Sequence, residues 1–460
     1  MADQATAQEF DILVLGGGSG GYATALRAVQ LGFTVGLVEK AKLGGTCLHN
    51  GCIPTKALLH SAEVADHARD AAKYGVNVEL QSIDMTAVNA YKDGIVAGKF
   101  KGLQGLIKGK GITVIEGEGK LTTPDTITVN GTAYKGKNIV LATGSYSRSL
   151  PGLEIGGRVI TSDEALKMDY VPKSVIVLGG GVIGVEFASV WKSFGVDVTI
   201  VEGLPSLVPN EDASIIKVLE RTFKKRGIKF NTGTFFQGVE QDKDGVKVTL
   251  VDGKTFEADL LLVAVGRGPS TAGLGFEEAG VTVDRGFVIP NERLHTGVGN
   301  VYAVGDIVPG VQLAHRGFQQ GIFVAEEIAG LKPVVVDDIN VPKVTYCDPE
   351  IASVGYSEKA AKEKFGEDKV ESIEYNLAGN GKSAILGTGG IIKFVREKDG
   401  PVVGVHMIGT RVGEQIGEAQ LIVNWEAYPE DVAGLIHAHP TQNEALGEAA
   451  MALAGRPLHG

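Results

Sequence analysis

The stretch that decides the fold is FDILVLGGGSGGYATALRAVQLGFTVGLVEK, residues 10–40. It has the pattern of a strand, a glycine turn, a helix and a second strand that ends in an acid. Gly16, Gly18 and Gly21 fit G-x-G-x-x-G, in which the glycines make a tight turn, admit a pyrophosphate and let the helix pack on the strand. Glu39, 23 positions after Gly16, is placed to accept from a ribose hydroxyl. We predict a dinucleotide-binding unit; a glycine turn used only for packing is the alternative.

The same pattern returns in SVIVLGGGVIGVEFASVWKSFGVDVTIVEG, residues 174–203. Gly179, Gly181 and Gly184 repeat the fingerprint, and the second strand is predicted to end at Glu202, again 23 positions after the first glycine. Two such units indicate two dinucleotides. An acid at this position accepts from the 2′-hydroxyl of NAD and repels the 2′-phosphate of NADP, and no arginine follows until Arg221. The second unit is therefore predicted to prefer NAD.

Length and charge exclude several classes of protein. A chain of 460 residues is long enough for two to four domains. The formal net charge is -11, without the basic stripe of a nucleic-acid binder. No apolar run approaches the roughly 20 residues that a membrane helix needs, and the first ten residues do not resemble a secretory signal or a transit peptide. We expect a cytoplasmic protein.

Two of the three cysteines, Cys47 and Cys52, lie five positions apart. In the cytosol such a pair is more often catalytic or metal-binding than structural. A zinc site needs further ligands, and although His49 and His60 are near, no second cluster has zinc-ligand spacing. Two unrelated buried thiols are the other alternative. A redox-active disulfide is the favoured interpretation.

A disulfide between these cysteines requires a break in the helix. Residues five apart in a straight helix have Cα atoms roughly 8–9 Å apart, whereas a disulfide needs less than about 7 Å. Gly51 allows the distortion, and Pro54 suits the first turn of the helix that follows. A nicotinamide moves hydride, a dithiol moves two electrons, and a flavin exchanges with either. The first dinucleotide unit, next to the cysteines in sequence, is thus the expected FAD site.

Several motifs together resemble the pyridine nucleotide-disulfide oxidoreductases. The resemblance covers nearly the whole chain, and within the family it is strongest to the enzymes that oxidise dihydrolipoamide. The motifs are the two fingerprints, GGTCLHNGCIPTKALL at 44–59, LATGS at 141–145, VYAVGDI at 301–307 and HAHPTQNEAL at 437–446.

The resemblance implies a role for each cysteine and for one ion pair. Cys47 would exchange with the substrate thiol, and Cys52 would face the flavin as a thiolate. Lys56 would pair with Glu186 near the reactive edge of the flavin. A lowered cysteine pKa beside an imidazolium and the flavin would favour thiolate attack.

The resemblance also implies that His439 is the general base and that Glu444 orients it, with a cis bond before Pro440. Imidazole titrates near neutral pH and can accept a proton from a thiol. A carboxylate behind it fixes the tautomer. Without the resemblance, His439 would be an ordinary surface histidine, and His437 and His459 lie close by in sequence.

The remaining implied site residues contact the two cofactors, and no metal is expected. Asp306 would hold the ribityl chain of the flavin, Ala314 would lie near its ring, and Gly119 would contact its adenine end. The expected FAD contacts are Gly16, Gly18, Gly21, Glu39, Lys40, Gly45, Thr46, Lys56, Gly119, Ala142, Thr143, Gly144, Asp306 and Ala314, and the expected NAD contacts are Gly179, Gly181, Gly184, Glu202, Val239 and Gly266.

The predicted fold class is α/β, with two Rossmann-like dinucleotide-binding domains and a C-terminal α+β interface domain that forms a dimer. Its expected parts are an FAD-binding domain at 1–150, an NAD-binding domain at 151–281, a central segment at 282–340 that completes the FAD site, and the interface domain at 341–460. In the family this last domain supplies its His–Glu pair to the cysteines of the other subunit. We therefore expect a homodimer.

The implied activity is oxidation of dihydrolipoamide, free or on a lipoyl domain, with reduction of NAD⁺, in a complex built on a lipoyl-bearing 2-oxo-acid dehydrogenase core. The alternatives are a glutathione- or mycothione-type reductase, a mercuric reductase, an NADH oxidase and a subunit that mainly docks. A glutathione-type enzyme would place arginines around Glu202, and a mercuric reductase would end in a cysteine pair; both features are absent.

Four further expectations concern residues outside this machinery. Cys347 is interpreted as a packed small hydrophobe, His315 as a structural hydrogen-bonding residue near the flavin, and His49 as exposed. The segment 86–108 is predicted to be a helix with one packed face and its lysines outward.

Overall fold

The computed structural model describes residues 7–459. The helices are α1 Ser19–Gln30, α2 Gly45–His49, α3 Cys52–Asp70, α4 Met85–Gly109, α5 Ser162–Ala165, α6 Val182–Ser193, α7 Ala213–Arg226, α8 Ala314–Ile328, α9 Glu358–Phe365, α10 Gly381–Leu386, α11 Val412–Asn424, α12 Pro429–Ala433 and α13 Glu444–Leu453. The strands are β1 Gln8–Leu15, β2 Val35–Glu39, β3 Thr113–Glu116, β4 Gly119–Thr123, β5 Thr126–Val129, β6 Thr132–Leu141, β7 Ser145–Ser147, β8 Val159–Ile160, β9 Ser174–Leu178, β10 Asp197–Val201, β11 Lys229–Asn231, β12 Phe236–Gln241, β13 Val246–Leu250, β14 Thr255–Ala258, β15 Leu260–Val263, β16 Arg267–Pro269, β17 Val283–Asp284, β18 Phe287–Val288, β19 Val301–Ala303, β20 Lys343–Thr345, β21 Glu350–Gly355, β22 Val370–Asn376, β23 Ile391–Glu397 and β24 Val402–Gly409.

The chain divides into two compact units, and each is built from three separate segments. The first comprises residues up to 57 with 86–148 and 267–338. The second comprises residues 58–85, 149–266 and those from 339 onward. Contacts between residues far apart in sequence therefore define both units. The boundaries at 150, 281 and 340 stay a prediction.

The first unit is built on a sheet in the order β3-β2-β1-β6-β5-β4, with β19 beside β6. Strands β3, β2, β1, β6 and β19 run parallel, as in a dinucleotide-binding fold. Residues 12–15 of β1 are buried almost completely, because a parallel sheet is covered on both faces. Helix α1 packs beside α8, with the backbone of Gly20 close to Gly317 and Gly321. The carboxyl ends of β1, β6 and β19 share one edge of the sheet.

The second unit holds a parallel sheet, a small antiparallel meander and a larger antiparallel sheet. The parallel sheet has the order β11-β10-β9-β15-β8, and the meander has the order β12-β13-β14. The larger sheet, β20-β21-β24-β23-β22, packs against α11 and α13 around one apolar core. The α/β class with two Rossmann-like sheets and a C-terminal α+β part is as predicted. Within residues 7–459, the helices are too short or too polar to span a membrane.

The predicted ends of the second strand in the two fingerprints agree with the structure to within one residue. Strand β2 ends at Glu39 as expected, but β10 ends at Val201 rather than at Glu202. Glu39 belongs to β2 because it still pairs with Glu116 of β3, whereas the pairing of β10 with β11 ends at Val201, opposite Asn231. The backbone N–H of Glu202 still donates to the Asn231 carbonyl at 2.9 Å. The acid is therefore held at the strand end.

Helix α4 forms as predicted, but the expectation that all its lysines point outward was wrong for one of them. Lys99, Lys101 and Lys108 are exposed, whereas the Lys92 side chain is only 5% exposed. Its aliphatic stem is buried and its Nζ lies 3.2 Å from a carboxylate oxygen of exposed Asp93. A lysine can thus occupy a buried helix position when a neighbouring acid meets its ammonium group.

A buried lysine in the second unit connects α7 to the C-terminal sheet. Lys393 Nζ lies 3.0 Å from Asp212 Oδ1 and 2.6 Å from Glu358 Oε2, and the lysine side chain is 5% exposed. Replacing Lys393 by methionine leaves the buried Asp212 carboxylate without its cation. Loss of one partner of a buried pair costs about 3 kcal/mol or more, so we expect the thermal midpoint to fall by about 5 °C. Differential scanning calorimetry measures this, with exposed Lys398→Met as the control; equal midpoints would contradict it.

The same cluster gives a pH dependence of stability with a defined sign. The hydrogen bond from Lys393, with smaller help from Lys362, lowers the pKa of Glu358 from 4.5 to about 2. A carboxyl with a depressed folded-state pKa stabilises the fold above pH 4.5 and loses that contribution as the pH falls toward 2. The difference in thermal midpoint between wild type and Lys393→Met should therefore be larger at pH 7 than at pH 3. A constant difference would show that the ion pair does not carry the effect.

Candidate active site

The helix that carries the two cysteines is broken between them, as the sequence predicted. Cys47 lies in the short α2, which ends at His49, and Cys52 is the first residue of α3. The break falls at Asn50 and Gly51, where a Cβ on Gly51 would lie 3.0 Å from the Thr46 carbonyl oxygen. The structure holds both cysteines as half-buried reduced thiols. The break brings the two side chains within hydrogen-bonding distance of each other.

The Cys47 thiol is held in its protonated form. The hydrogen bond to the Cys52 side chain and burial raise the pKa of the Cys47 thiol. The charge of Lys56 and a backbone hydrogen bond from Cys52 oppose this shift without reversing it. The lowered cysteine pKa expected beside an imidazolium and the flavin stays a prediction. In the chain alone, the hydrogen bond with the Cys52 side chain is the largest cause of the raised Cys47 pKa.

Two neighbours of the thiol pair were missed or misassigned from the sequence. Tyr22, in the first turn of α1, is half-buried; burial and then the charges of Cys47 and Cys52 raise its pKa to about 12. Its phenol therefore stays protonated. The expectation that His49 is exposed was wrong: its Nε2 lies 2.9 Å from the Leu43 carbonyl oxygen and its ring meets Phe100 edge-on. The only sequence signal for either is proximity to a motif.

Both glycine fingerprints leave room for a pyrophosphate at the middle glycine. A Cβ on Gly16 would lie 2.3 Å from the Ala142 carbonyl oxygen, and one on Gly21 would lie 1.8 Å from the Gly16 oxygen. Gly179 and Gly184 show the same two close approaches, at 2.4 and 1.9 Å. In contrast, Gly18 has no such neighbour nearer than 3.9 Å and Gly181 none within 4 Å. Close backbone packing thus excludes a side chain at the first and third glycine of each fingerprint, while the space beside the middle glycine stays open. The residues therefore fit two dinucleotides.

The two units also share the other features of a dinucleotide site, namely an open helix N-terminus and an oriented acid. The N-cap residues of α1 and α6 are Gly18 and Gly181, which offer no side-chain cap, and neither helix has an acid in its first turn, so their first N–H groups are available to phosphate. Glu39 accepts from the backbone N–H groups of Gly17 and Ala41, at 2.8 and 2.7 Å. Glu202 accepts from Gly180 and Leu204, at 2.6 and 2.8 Å. Each carboxylate is oriented before any ribose arrives.

Backbone contacts hold part of the expected FAD site together at one edge of the sheet of the first unit. Gly18 and Gly45 face each other, and Gly44 N–H donates to the Gly17 carbonyl at 2.8 Å, which joins the fingerprint to the cysteine segment. The Ala142 N–H donates to the Leu15 carbonyl. The other residues expected here begin or follow neighbouring elements: Lys40 after β2, Thr46 in α2, Lys56 in α3, Gly119 in β4, Thr143 and Gly144 after β6, and Ala314 in α8.

Asp306 belongs to a polar network that the sequence did not reveal. Ser145 Oγ donates to Asp306 Oδ2 at 2.5 Å. The Arg267 guanidinium donates to Ser145 Oγ and O, each at 2.8 Å, and reaches Thr46 Oγ1 at 3.5 Å. Arg267 comes from the strand β16, which pairs with β7. Segments that are distant in sequence thus form one hydrogen-bonded network. It runs from Thr46, the residue beside Cys47, to Asp306, the aspartate expected to hold the flavin.

The predicted base and its orienting acid lie in contact. His439 Nδ1 donates to Glu444 Oε1 at 2.7 Å, and the imidazole is 77% exposed, which leaves Nε2 accessible. Thr441 N–H holds the other oxygen, Glu444 Oε2, at 2.6 Å. Burial raises the pKa of Glu444, but the hydrogen bonds from Thr441 and His439 outweigh it and lower the pKa overall. The bond before Pro440 is cis, as the resemblance implied.

Two other histidines near the C-terminus have the same kind of partner. His437 Nε2 lies 2.8 Å from Glu418, and His459 Nδ1 lies 2.8 Å from Glu448. His437 is 13% exposed, whereas His459 is 65% exposed. A histidine–carboxylate contact therefore does not by itself single out His439. His439 is distinguished from the other two histidines by its position in the motif HAHPTQNEAL.

The other predicted site residues of the second unit lie in α6, in β12 and after β15. Glu186, in α6, is 2% exposed and its Oε1 accepts from the Tyr346 N–H at 2.9 Å. Val239 lies in β12, and Gly266, with φ +102°, follows β15. The Lys56–Glu186 pairing stays a prediction. Cys347 is buried as predicted, with its Sγ donating to the Pro349 carbonyl.

A fold with two dinucleotide sites and a dithiol beside the first of them defines a class of protein: an oxidoreductase that couples a pyridine nucleotide to thiol–disulfide exchange. Residues 10–321 match the family model described as pyridine nucleotide-disulphide oxidoreductase, and residues 341–450 match its dimerisation domain. The chain belongs to the pyridine nucleotide-disulphide oxidoreductase family. The cofactors are accordingly FAD and NAD, and their assignment to the first and second fingerprint stays a prediction.

Named relatives extend over nearly the whole chain. It is 41% identical to the mitochondrial dihydrolipoyl dehydrogenase of Pisum sativum, covering 98% of this chain and 93% of the relative. It is 40% identical to a dihydrolipoyl dehydrogenase of Bacillus subtilis, covering 98% and 100%. The crystal structure of LpdA from Mycobacterium tuberculosis superposes with a TM-score of 0.90 at 26% identity, covering 97% of this chain and 100% of that one.

Proposed function

We propose that this protein oxidises dihydrolipoamide to lipoamide and reduces NAD⁺, with Cys47 and Cys52 as its redox-active pair. The observation that carries the proposal is the hydrogen-bonded thiol pair across the break between α2 and α3, on the unit that holds the first fingerprint. The dihydrolipoyl dehydrogenase names of the full-length relatives support the choice of substrate. The oriented Glu202 carboxylate supports NAD over NADP.

The first half of the proposed mechanism moves a proton and breaks the protein disulfide. His439 Nε2 takes the proton of one dihydrolipoamide thiol, while Glu444 holds the imidazole through Nδ1. The resulting thiolate attacks Cys47 Sγ, the Cys47–Cys52 bond breaks, and Cys52 leaves as a thiolate. The product is a mixed disulfide between Cys47 and the substrate.

The second half closes the lipoamide ring. The remaining substrate thiol attacks its own sulfur in the mixed disulfide, and Cys47 is released. Because its pKa is raised, Cys47 readily takes back a proton, which the imidazolium of His439 can return. The FAD contacts expected from the sequence would hold the flavin, which would supply two-electron transfer from the dithiol to NAD⁺. Lys56, whose charge acts on Cys47, favours the thiolate form.

The wider assembly is part of the proposal. The matched dimerisation domain supports a homodimer, in which the His439–Glu444 pair of one subunit would serve the cysteines of the other. A lipoyl domain on a 2-oxo-acid dehydrogenase core is the proposed carrier of the substrate. The cytoplasmic location expected from the sequence stays a prediction.

An anaerobic titration of the flavin-loaded protein with dihydrolipoamide tests the function. We expect a long-wavelength absorbance band, followed by NADH formation when NAD⁺ is added. Oxidised glutathione with NADPH, used as the comparison, should give little turnover. Absence of both the band and NADH with dihydrolipoamide would refute the proposal, and turnover with glutathione instead would favour the glutathione-type alternative.

Glu202→Ala should weaken selection of NAD⁺ over NADP⁺. The substitution removes a charged acceptor for the ribose 2′-hydroxyl and the repulsion against a 2′-phosphate. A hydrogen bond to a charged group is worth about 1.5–3 kcal/mol, so KM for NAD⁺ should rise about 10- to 100-fold. Steady-state kinetics with both nucleotides measure this. The absorbance change on adding dihydrolipoamide alone is the control and should be unchanged; unaltered nucleotide selectivity would contradict the assignment.

A further inference from the structure

An exposed phenylalanine lies beside the acid of the second fingerprint. The Phe235 side chain is 62% exposed, whereas the aromatic side chains of α6 and α7 nearby in this unit, Phe187, Trp191 and Phe223, are at most 5% exposed. Its ring packs on the backbone of Gly203, the residue directly after Glu202; a Cβ there would lie 2.6 Å from ring atom Cδ1. The ring thus lies over the end of β10, beside Glu202, and stays outside the apolar core.

Backbone hydrogen bonds fix this ring relative to the acid. Gly233 N–H donates to the Leu204 carbonyl at 2.7 Å, and Val251 N–H donates to the Phe235 carbonyl at 3.0 Å. These bonds tie the segment between β11 and β12 to both of its neighbours. Leu204 in turn holds Glu202 Oε1, so the carboxylate and the aromatic ring belong to one connected edge.

The first fingerprint unit has no counterpart of this ring among its described residues. Its acid, Glu39, is oriented by the same two kinds of backbone donor. The residue after Glu39 is Lys40, an exposed cation 3.9 Å from Glu118. The residues that follow β3 are Gly117 and Glu118. The aromatic side chain is therefore not part of what a dinucleotide fingerprint needs in order to fold. It distinguishes the second site from the first.

We propose that Phe235 stacks on the adenine of the pyridine dinucleotide whose ribose is bound by Glu202. This inference rests on the proposed assignment of NAD to the second fingerprint. An exposed aromatic face is costly to leave in water and matches the planar, apolar face of a purine. Stacking of a base on an aromatic side chain tolerates any ring of that shape, so the contact adds affinity while Glu202 supplies the choice between NAD and NADP.

Direct binding measurements on the flavin-loaded protein test the stacking. ADP-ribose carries the adenine but no nicotinamide, and nicotinamide mononucleotide carries no adenine. For Phe235→Ala, isothermal titration calorimetry should show Kd for ADP-ribose raised about 5- to 100-fold, with nicotinamide mononucleotide unaffected. Phe235→Trp should retain affinity, and its fluorescence should be quenched by AMP. Val251→Ala, whose exposed side chain lies on the segment bonded to Phe235, is the matched control and should bind ADP-ribose as wild type does.

The outcomes separate failure of the inference from failure of the proposed function. If wild type binds ADP-ribose and Phe235→Ala binds it equally well, the stacking is wrong and the NAD site stands. Equal losses for ADP-ribose and nicotinamide mononucleotide would also overturn the stacking, because they would show that the ring shapes the whole site. If wild type binds neither ADP-ribose nor NAD⁺, the assignment of NAD to this unit fails.

Discussion

Cys47→Ser and Cys52→Ser are each expected to reduce dihydrolipoamide oxidation to the background of the assay. A serine hydroxyl neither forms a disulfide nor accepts electrons, and the described chain has no second dithiol, since its one remaining cysteine, Cys347, is a single buried thiol. NADH formation from dihydrolipoamide and NAD⁺, followed at 25 °C, measures the loss. Retained turnover in either variant would show that the electrons bypass the pair.

The two cysteine variants should differ in what they trap. With Cys52 replaced, Cys47 can attack the disulfide of added lipoamide, and iodoacetamide added at an early quench caps the freed lipoamide thiol before ring closure can release Cys47. Mass spectrometry should then find one lipoamide attached to Cys52→Ser and none to Cys47→Ser. The reverse pattern would exchange the proposed roles of Cys47 and Cys52.

Cys347→Ser serves as the control for both variants. Its side chain is buried and donates only to the Pro349 carbonyl, a contact that a hydroxyl can reproduce. We expect nearly full activity together with wild-type cofactor absorbance. A comparable loss in this variant would mean that general damage to the fold, rather than loss of the relay, explains the cysteine results.

His439→Gln is expected to lower kcat for dihydrolipoamide oxidation on the order of 10²–10⁴-fold, the usual contribution of a positioned acid–base group. Glutamine keeps a polar side chain but cannot accept a proton from a thiol. The acid limb of the wild-type pH–rate profile should disappear, because that limb reports loss of the basic imidazole as the pH falls. Steady-state rates between pH 5.5 and 9 provide both readouts.

Glu444→Gln should lower the rate less than His439→Gln does. The amide can still accept a hydrogen bond from His439 Nδ1, but it no longer carries the charge that stabilises an imidazolium. In the structure that charge is secured by Thr441, whose hydrogen bond helps to lower the Glu444 pKa. A loss in Glu444→Gln larger than that in His439→Gln would contradict this order of roles.

His459→Gln is the matched control, because it removes a second exposed histidine with a carboxylate partner at almost the same distance. His459 lies 2.8 Å from Glu448 and is 65% exposed, against 2.7 Å from Glu444 and 77% for His439. The proposed mechanism gives His459 no proton to transfer, so its variant should retain the rate and the pH profile. An effect equal to that of His439→Gln would leave the base unidentified.

Sequence pattern could not distinguish these three histidines from one another. Three histidines near the C-terminus meet a glutamate, and nothing in local pattern ranks one above another; only the motif around Pro440 favoured His439. Lys92 and His49 show the same limit for burial. Each was expected at the surface from its polarity, yet a neighbouring acid or a backbone carbonyl allows it to be largely or partly buried.

The sequence by itself determined what depends on local backbone geometry. Glycines at fixed offsets made both fingerprints recognisable, since a tight turn and a helix packed on a strand tolerate no side chain at those positions. The spacing of Cys47 and Cys52, taken together with the predicted disulfide, also predicted the break between them, because an unbroken helix holds such residues too far apart.

Only the tertiary structure decided which distant residues act together. Arg267 donates to Ser145 from a separate strand, and Ser145 donates to Asp306. The Phe235 ring packs on Gly203 across the ends of two strands. Each compact unit also joins three separate segments of the chain. A side chain's partner across the fold depends on how sheets and loops pack, and that packing is set by long-range contacts that leave no periodic trace in the chain.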